Sequence, residues 1–345
     1  ALDLSALSAA APQTAISGRA EIDTKGSGGP IGAVLELDNA VPGRWDRGRL
    51  PVRQVVAHLR SPDGDRNQLV ADDFDLQFAQ GADAAGRWRG RAVWAGNRLQ
   101  IDSRIDDLRP QLLDGRASAM SLSGPLNASF TGMPLPPPHT SDTKVERRLE
   151  LSAQLEGKVD RSPLPVKLAI EGSADSQRIE VRQLHLEAGS AQADLNFSAQ
   201  RAPQAAWQLR SSGRLSDFDP LPWWPGEEGG AWRSGPHRLS GNWSLDLLLP
   251  RITPGLSQPA LLQSVVASGT LGIERSVIAG VPVSLQLALT HHTGDGPAPS
   301  TAKGELVVGG NRVVIDGQGN PLSDGRLDRI TLDLQGHDLA ALAPL

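Results

Sequence analysis

The stretch Leu-Glu-Leu-Ser-Ala-Gln-Leu at residues 149–155 decides the fold, because apolar and polar residues alternate along it without a break. Successive side chains of a β-strand point to opposite faces of the sheet, so this pattern predicts a strand with one apolar face. The same alternation recurs along the chain. The apolar positions that it marks most clearly are Phe74, Leu76, Phe78, Leu149, Leu151, Leu155, Ile179, Val181, Trp243, Leu245, Leu247, Leu249, Ile330, Leu332 and Leu334.

Turn signals separate these segments at short intervals, as at residues 96–97 and 309–311. The sequence therefore predicts an all-β chain of antiparallel strands, roughly 25 to 30 in number. Ile179 and Leu184 belong to different registers of the alternation, so we expect a β-bulge near Arg182.

Few segments of the sequence show helical periodicity. Residues 258–267 are the best helix candidate, because Pro259 suits a first turn and apolar residues follow at helical spacing. The proline-rich stretch 133–143 predicts an extended loop that cannot pair in a sheet.

Three short phrases recur in a fixed order. A phrase that opens Asp-Leu or Asp-Phe begins at Asp3, Asp107, Asp217 and Asp338, a Ser-Gly phrase occupies 16–18, 122–124 and 239–241, and a proline-centred phrase occupies 50–52, 164–166 and 281–283. This order predicts tandem units of roughly 110 residues, and we expect the chain to be an internal piece of a longer array. The units are residues 1–106, 107–216 with the loop at 133–143, 217–337, and 338–345 as the start of a fourth. We call the Asp-Leu and Asp-Phe phrases opening turns, because each predicts a single helical turn capped by its carboxylate.

Composition excludes several classes of protein. The net charge of −5 offers no basic surface for nucleic acid. The chain has no cysteine, so disulfides and thiolate metal sites are excluded. No apolar run approaches the roughly 18 to 20 residues that span a bilayer, and no signal peptide is visible at the first residues.

Candidate metal ligands are better explained as strand residues. His291 and His292 are neighbours, and neighbours on a strand point to opposite faces, so they cannot chelate one ion together. We expect them at a solvated strand end. Asp72, Asp73 and Asp75 are not followed by a calcium-loop pattern, and we expect them on the polar face of the strand that contains Phe74.

The sequence contains no recognisable catalytic constellation. We expect Trp223 and Trp224 to plug the end of a hydrophobic core, with an interfacial anchor or a sugar-stacking platform as alternatives. A carbohydrate-active protein would need paired carboxylates beside Trp223 or Trp243, and the sequence does not bring such a pair together. We therefore expect a protein that is not an enzyme and needs no cofactor or metal.

The central question is what covers the apolar faces. Strands with one apolar face must cover it with helices, with a second sheet, or with something that is not protein. Helices are too few for this, so the sheets either pair as closed sandwiches or form a trough that accepts a ligand.

Several stretches resemble the TamB and wider AsmA-like family, in which TamB is the inner-membrane component of the bacterial translocation and assembly module. They are residues 42–52, residues 217–226 with the trailing 241–243, and residues 278–283. The resemblance implies a long, twisted antiparallel sheet, curled like a taco around an apolar groove. It also implies a periplasmic protein that is anchored in the inner membrane, contacts a BamA-type (TamA-like) outer-membrane barrel, and carries phospholipid towards the outer membrane. The anchor and the barrel-contacting region are expected outside this chain.

On this interpretation the fifteen apolar positions above line a groove for phospholipid acyl chains, and the protein is a mid-span segment that supports outer-membrane biogenesis. The alternative is a structural or adhesive array of closed β-sandwiches with no lipid ligand.

Overall fold

The structure, a computed structural model, describes residues 1–8, 11–24, 29–62, 68–132, 146–160, 164–201, 207–223, 233, 235–249, 265–291, 300–319 and 329–345. Within these ranges the chain is all-β, with very few helical residues, as the alternation predicts. There are eighteen strands in the described residues, fewer than expected, because most strands are long and run for 9 to 13 residues. The chain divides into two compact units.

The first unit comprises Ala1–Ser176 and Pro222–Pro225. Its strands are β1 (Ile16–Thr24), β2 (Ile31–Asn39), β3 (Val52–Ser61), β4 (Gln68–Gln80), β5 (Asp83–Ala95), β6 (Arg98–Leu108), β7 (Met120–Thr131), β8 (Arg148–Val159) and β9 (Pro165–Asp175). Each strand pairs antiparallel with the next one in the chain.

The second unit comprises Gln177–Leu221 and Gly226–Leu345. Its strands are β10 (Arg178–Ala188), β11 (Ala191–Arg201), β12 (Trp207–Phe218), β13 (Leu239–Leu249), β14 (Val266–Ile278), β15 (Val281–His291), β16 (Ser300–Val308), β17 (Asn311–Gly319) and β18 (Arg329–Gln335). Consecutive strands again pair antiparallel. Among the described strands β18 pairs along its length only with β17, and β1 in the first unit only with β2, so the strand pairing stays open rather than closing into a barrel.

All four opening turns adopt the expected helical conformation. They are Leu4–Ala6, Pro110–Leu113 (α1), Leu221–Trp223 and Ala340–Leu342. A carboxylate caps three of them: Oδ1 of Asp3 accepts the N–H of Ser5 at 3.1 Å, and Asp219 and Asp338 make the equivalent bond at 3.0 Å. In the third opening turn the capping residue is therefore the second aspartate of the phrase, Asp219, and not Asp217.

Six strands lie between one opening turn and the next in chain order, β1–β6, β7–β12 and β13–β18. This regularity matches the spacing of the repeated phrases. The boundaries of the compact units do not coincide with those of the repeats, and the repeat boundaries stay an interpretation of the sequence.

The Ser-Gly phrase contacts the opening turn that precedes it. Oγ of Ser123 accepts the backbone N–H of Asp107 at 2.9 Å, and Oγ of Ser240 accepts that of Asp217 at 3.0 Å. Both aspartates have a positive φ, 47° and 50°, in the left-handed region that Asp tolerates better than most residues. Each lies in a β-bulge where the strand joins its opening turn.

Two local predictions have opposite outcomes. The register of β10 against β11 shifts between Val181 and Leu184, which confirms the bulge near Arg182. The helix expected at 258–267 is wrong at its C-terminal end, because Val266 and Ala267 begin β14 and pair with β13. Residues 258–264, like the proline-rich 133–143, lie outside the described residues.

Candidate functional site

The strand register places all fifteen predicted apolar positions on one face of the sheet in their own unit. Directly paired residues of neighbouring antiparallel strands point to the same side, so a row of pairs can be followed across a unit. In the first unit one row runs through Ala20, Leu35, Ala57, Phe74, Gly90, Ser103, Leu126, Ala153 and Ile170. Leu76, Phe78, Leu149, Leu151 and Leu155 lie on the same side, which we call the apolar face of the first unit.

The second unit has an equivalent apolar face. One row runs through Val181, Phe197, Ser211, Leu245, Gly269, Leu289, Ala302, Gly317 and Ile330. Ile179, Trp243, Leu247, Leu249, Leu332 and Leu334 lie on this side. The registers therefore agree with the predicted side for every candidate residue.

Charge is confined almost entirely to the opposite face. Along the registered pairs, the described residues put no charged side chain in the interior of either apolar face. The exceptions are Asp83 in the first unit, and Arg201 and the ionisable His291 in the second, each an end residue of its strand. An apolar ligand could therefore lie along either face without desolvating a charge.

Ion pairs between neighbouring strands occupy the polar face. Nε of Arg60 lies 2.6 Å from Oδ2 of Asp72, and Nδ1 of His58 lies 2.6 Å from Oδ1 of Asp73. Asp75 forms an ion pair with Arg87. The prediction that these three aspartates lie on the polar face is confirmed for Asp73 and Asp75 by their registers, and Asp72 is bound to the same row of cations. Exposed pairs of this kind contribute only about 0–1 kcal/mol each.

The apolar face of the second unit is only partly covered. The side chain of Leu245 is 37 % exposed, that of Leu289 40 % and that of Ile179 43 %, while Leu332 on the last strand reaches 58 %. A second sheet packed on the face, as in a closed sandwich, would bury such central side chains. These exposures do not fit a closed sandwich.

Part of the buried core of the first unit lies at the end of the strands next to α1. Ile105, Leu122, Leu155 and Val166 are buried there, and α1 contacts β4, β5 and β7. This opening turn thus covers one end of the apolar face.

Two tryptophans on the apolar faces, Trp88 and Trp243, have their polar atom satisfied by a serine of the adjacent strand. Nε1 of Trp88 donates to Oγ of Ser103 at 2.8 Å, and Nε1 of Trp243 donates to Oγ of Ser211 at 3.0 Å. A buried indole N–H usually needs such a partner, so each ring presents apolar surface without an unsatisfied donor. Trp88 also packs edge-on against Phe74, with ring centroids 5.3 Å apart.

The alternation around Trp88 is a signal that sequence reasoning missed. Residues 87–92 read Arg-Trp-Arg-Gly-Arg-Ala, with every second residue a cation, and the register puts Trp88, Gly90 and Ala92 on the apolar face. The glycine and the many arginines concealed a strand of the same type as 149–155.

An elongated hollow of about 440 Å³ opens on the apolar face of the second unit. It is lined by Val265, Ala267, Leu289, His291, Ser300, Thr301, Ala302, Gly317, Gln318, Gly319 and Ile330. The space comes from small residues in a row where large ones would fill it. A Cβ atom added at Gly317 would meet nothing closer than the carbonyl oxygen of Ala302 at 3.6 Å.

His291 is one of the polar residues that line this hollow. Nδ1 of His291 lies 2.9 Å from Oγ of Ser300 on the paired strand. His291 is the last residue of β15, as predicted, and His292 lies outside the described residues. The part of the chain that the structure describes contains no group of three or more His, Asp or Glu side chains able to hold a metal ion.

Trp223 is neither fully buried nor exposed, and its role as a plug at the end of a core stays a prediction. Its carbonyl accepts a hydrogen bond from Oγ of Ser118 at 2.9 Å. Trp224 lies outside the described residues.

Among the helices of the described ranges, none is long and apolar enough to cross a membrane. The chain matches no protein-family model, no curated protein and no solved structure. The resemblance to the AsmA-like family therefore rests on the sequence phrases alone.

Proposed function

We propose that this chain is a lipid-conducting segment, with acyl chains lying along the apolar faces of its sheet. The observation that carries the proposal is that each apolar face is free of charge in its interior and that the face of the second unit nevertheless remains partly open. A structural core of this composition would be buried, whereas a surface that must exchange apolar ligands has to be accessible.

The energetics favour exchange rather than tight binding. An acyl chain of about 16 carbons leaving water gains on the order of 13 kcal/mol, at roughly 0.8 kcal/mol per methylene. The same chain leaving a bilayer for an apolar face gains almost nothing, because lipid tails are as apolar as leucine. Chains can therefore enter from a membrane and slide along the face without being trapped.

The hollow between Leu289 and Ile330 is one place where such a chain would lie. Its small residues leave a depression in the row, and His291 and Ser300 offer polar contacts near the strand ends.

The resemblance to the AsmA-like family adds a cellular location and a direction of transport to the proposal. On that basis the chain belongs to a periplasmic protein held in the inner membrane, and it carries phospholipid towards a BamA-type (TamA-like) barrel in support of outer-membrane biogenesis. The repeated opening turns and the phrases at 42–52 and 217–226 support this part of the proposal.

The test is lipid extraction and mass spectrometry on the chain expressed in the periplasm and purified in mild detergent. We expect phospholipid in the parent protein and much less in the Leu245→Asp, Leu332→Asp double variant. The matched control is Ser244→Asp, which adds the same charge to the polar face one residue away. A folded parent free of lipid would refute the conduit and favour an array whose apolar faces are covered by protein.

A further inference from the structure

A second hollow, of about 490 Å³, lies on the polar face of the second unit, where β12, β13 and β14 approach the third opening turn. Its lining includes three arginines, Arg214, Arg238 and Arg275. The carboxylates in the lining are Asp217 and Glu274, so the cations are in excess.

The arginines are poorly neutralised. Arg238 lies 3.8 Å from Asp217, at the long limit of an ion pair. Within the described residues Arg214 and Arg275 form no ion pair and no side-chain hydrogen bond. On β11 the residue paired with Arg214 is Asp194. Oδ1 of Asp194 lies 2.6 Å from Nδ1 of His185, so this carboxylate contacts the histidine.

In the preceding repeat, the arginine at the corresponding place has its charge neutralised by a carboxylate. The registers beside the second and third opening turns make Arg104 equivalent to Arg214 and Asp106 equivalent to Ser216. In the first unit Asp106 binds both Arg104, at 3.2 Å, and Arg89, at 2.8 Å. In the second unit a serine stands where that carboxylate would be.

Two further differences place arginines at this site, where the first unit has Lys158 paired with Ser121. β14 carries a bulge between Ile273 and Ser276, which inserts Arg275 at a positive φ of 48°. The equivalent strand β8 pairs in regular register through Glu156 to Lys158 and has no inserted residue there. Arg238 occupies the position of Ser121.

We infer that this hollow is a binding site for an organic phosphate. Guanidinium groups bind phosphate oxygens through paired hydrogen bonds and remain charged at every relevant pH. The side chains of Ser216 and Asn242 add neutral hydrogen-bonding groups to the lining. The hollow is roomier than a bare phosphate ion needs, so the ligand carries a polar substituent such as glycerol. The site lies on the face opposite the acyl-chain surface, so it does not depend on the proposed lipid conduit.

Isothermal titration of the full chain with glycerol 3-phosphate, inorganic phosphate and acetate tests the site. We expect glycerol 3-phosphate to bind best, acetate to bind far more weakly, and affinity to fall as salt is added. Arg214→Gln and Arg275→Gln should each weaken binding about tenfold or more, since each removes charge-assisted hydrogen bonds. Arg104→Gln, at the neutralised position of the first unit, should leave binding unchanged.

A fourth variant, Ser216→Asp, restores the carboxylate that the first unit has. It should neutralise Arg214 and abolish binding while circular dichroism and the unfolding midpoint stay close to those of the parent. Co-sedimentation with phosphatidylglycerol vesicles, lost in the same variants, would identify a lipid headgroup as the source of the phosphate, and binding of glycerol 3-phosphate alone would identify a soluble one. Absence of binding to every phosphate probe, equal binding of acetate, or binding unchanged in Arg214→Gln and Ser216→Asp would overturn the assignment.

Discussion

The indole ring of Trp243 lies directly against Gly213 of the neighbouring strand, where any Cβ atom would collide with the ring. The same ring donates its N–H to Ser211, two residues along that strand. Because Gly213 has no side chain, the indole ring of Trp243 can lie across the apolar face.

We expect Gly213→Ala to destabilise the second unit by about 1–3 kcal/mol, because the added methyl group must displace the ring or the strand. Urea unfolding followed by tryptophan fluorescence measures the change. The control is Gly32→Ala, at which an added Cβ meets nothing within 4 Å, so this change should be neutral or slightly stabilising. Equal effects of the two substitutions would contradict the assignment.

The hydrogen bond between the Ser-Gly phrase and its opening turn gives a second prediction. Ser240→Ala removes the acceptor for the N–H of Asp217, and we expect a loss of about 1 kcal/mol in the free energy of unfolding. Ser17 belongs to the same phrase in the first repeat, and it makes no such bond in the described residues. Ser17→Ala should therefore leave the denaturation midpoint in place, and a shift as large as that of Ser240→Ala would argue against the bond's contribution.

The third prediction concerns pH. Hydrogen bonds that the ring of His185 donates to the carboxylate of Asp194, and next in size to that of Glu187, raise the pKa of His185 above its ordinary value of 6.5. A group whose pKa is raised in the folded state stabilises that state fully at pH values below its unfolded pKa, and this stabilisation is lost as pH rises through the folded pKa. We expect the parent to exceed His185→Gln in thermal stability at a pH of about 5.5 to 6, and the difference to shrink towards a pH of about 8 to 9.

Scanning calorimetry across this pH range measures the difference. The matched control is His291→Gln, because His291 contacts a serine hydroxyl and no carboxylate in the described residues. A gap between the parent and His185→Gln that stays constant with pH would count against the charged interaction.

Much of the fold follows from the sequence because the alternation of apolar and polar residues predicts which side chains of a strand lie on the same face of the sheet. The alternation alone places Leu149, Leu151 and Leu155 on one face, and the register agrees. The helical turns are predictable because the Asp-Leu phrase repeats. The curl of the sheet into a groove stays a prediction.

Features that depend on the exact register between neighbouring strands are beyond the sequence. Arg275 lies in the hollow of β12–β14 only because a bulge in β14 inserts it, and nothing in the local sequence marks that bulge. The apolar hollow likewise arises because the register sets Ala302 opposite Gly317 and because Ala267 also lines the space. A small residue in one strand does not show whether its neighbours are small as well. The helix expected at 258–267 fails for a related reason: β13 offers Val266 and Ala267 paired positions that outweigh a weak helical pattern.

The apolar hollow itself supplies the last prediction. Gly317→Leu places a side chain in the space beside Ala302 without adding charge, and nothing near Gly317 forces a backbone change. We expect the variant to fold with unchanged stability and to bind a fluorescent long-chain fatty acid roughly tenfold more weakly, since the chain loses the volume that the leucine fills. Gly32→Leu adds the same side chain to the polar face of the first unit and should leave the affinity as it is in the parent. If Gly317→Leu binds the fatty acid as well as the parent does, acyl chains do not use this hollow, and the contact must lie elsewhere on the apolar face.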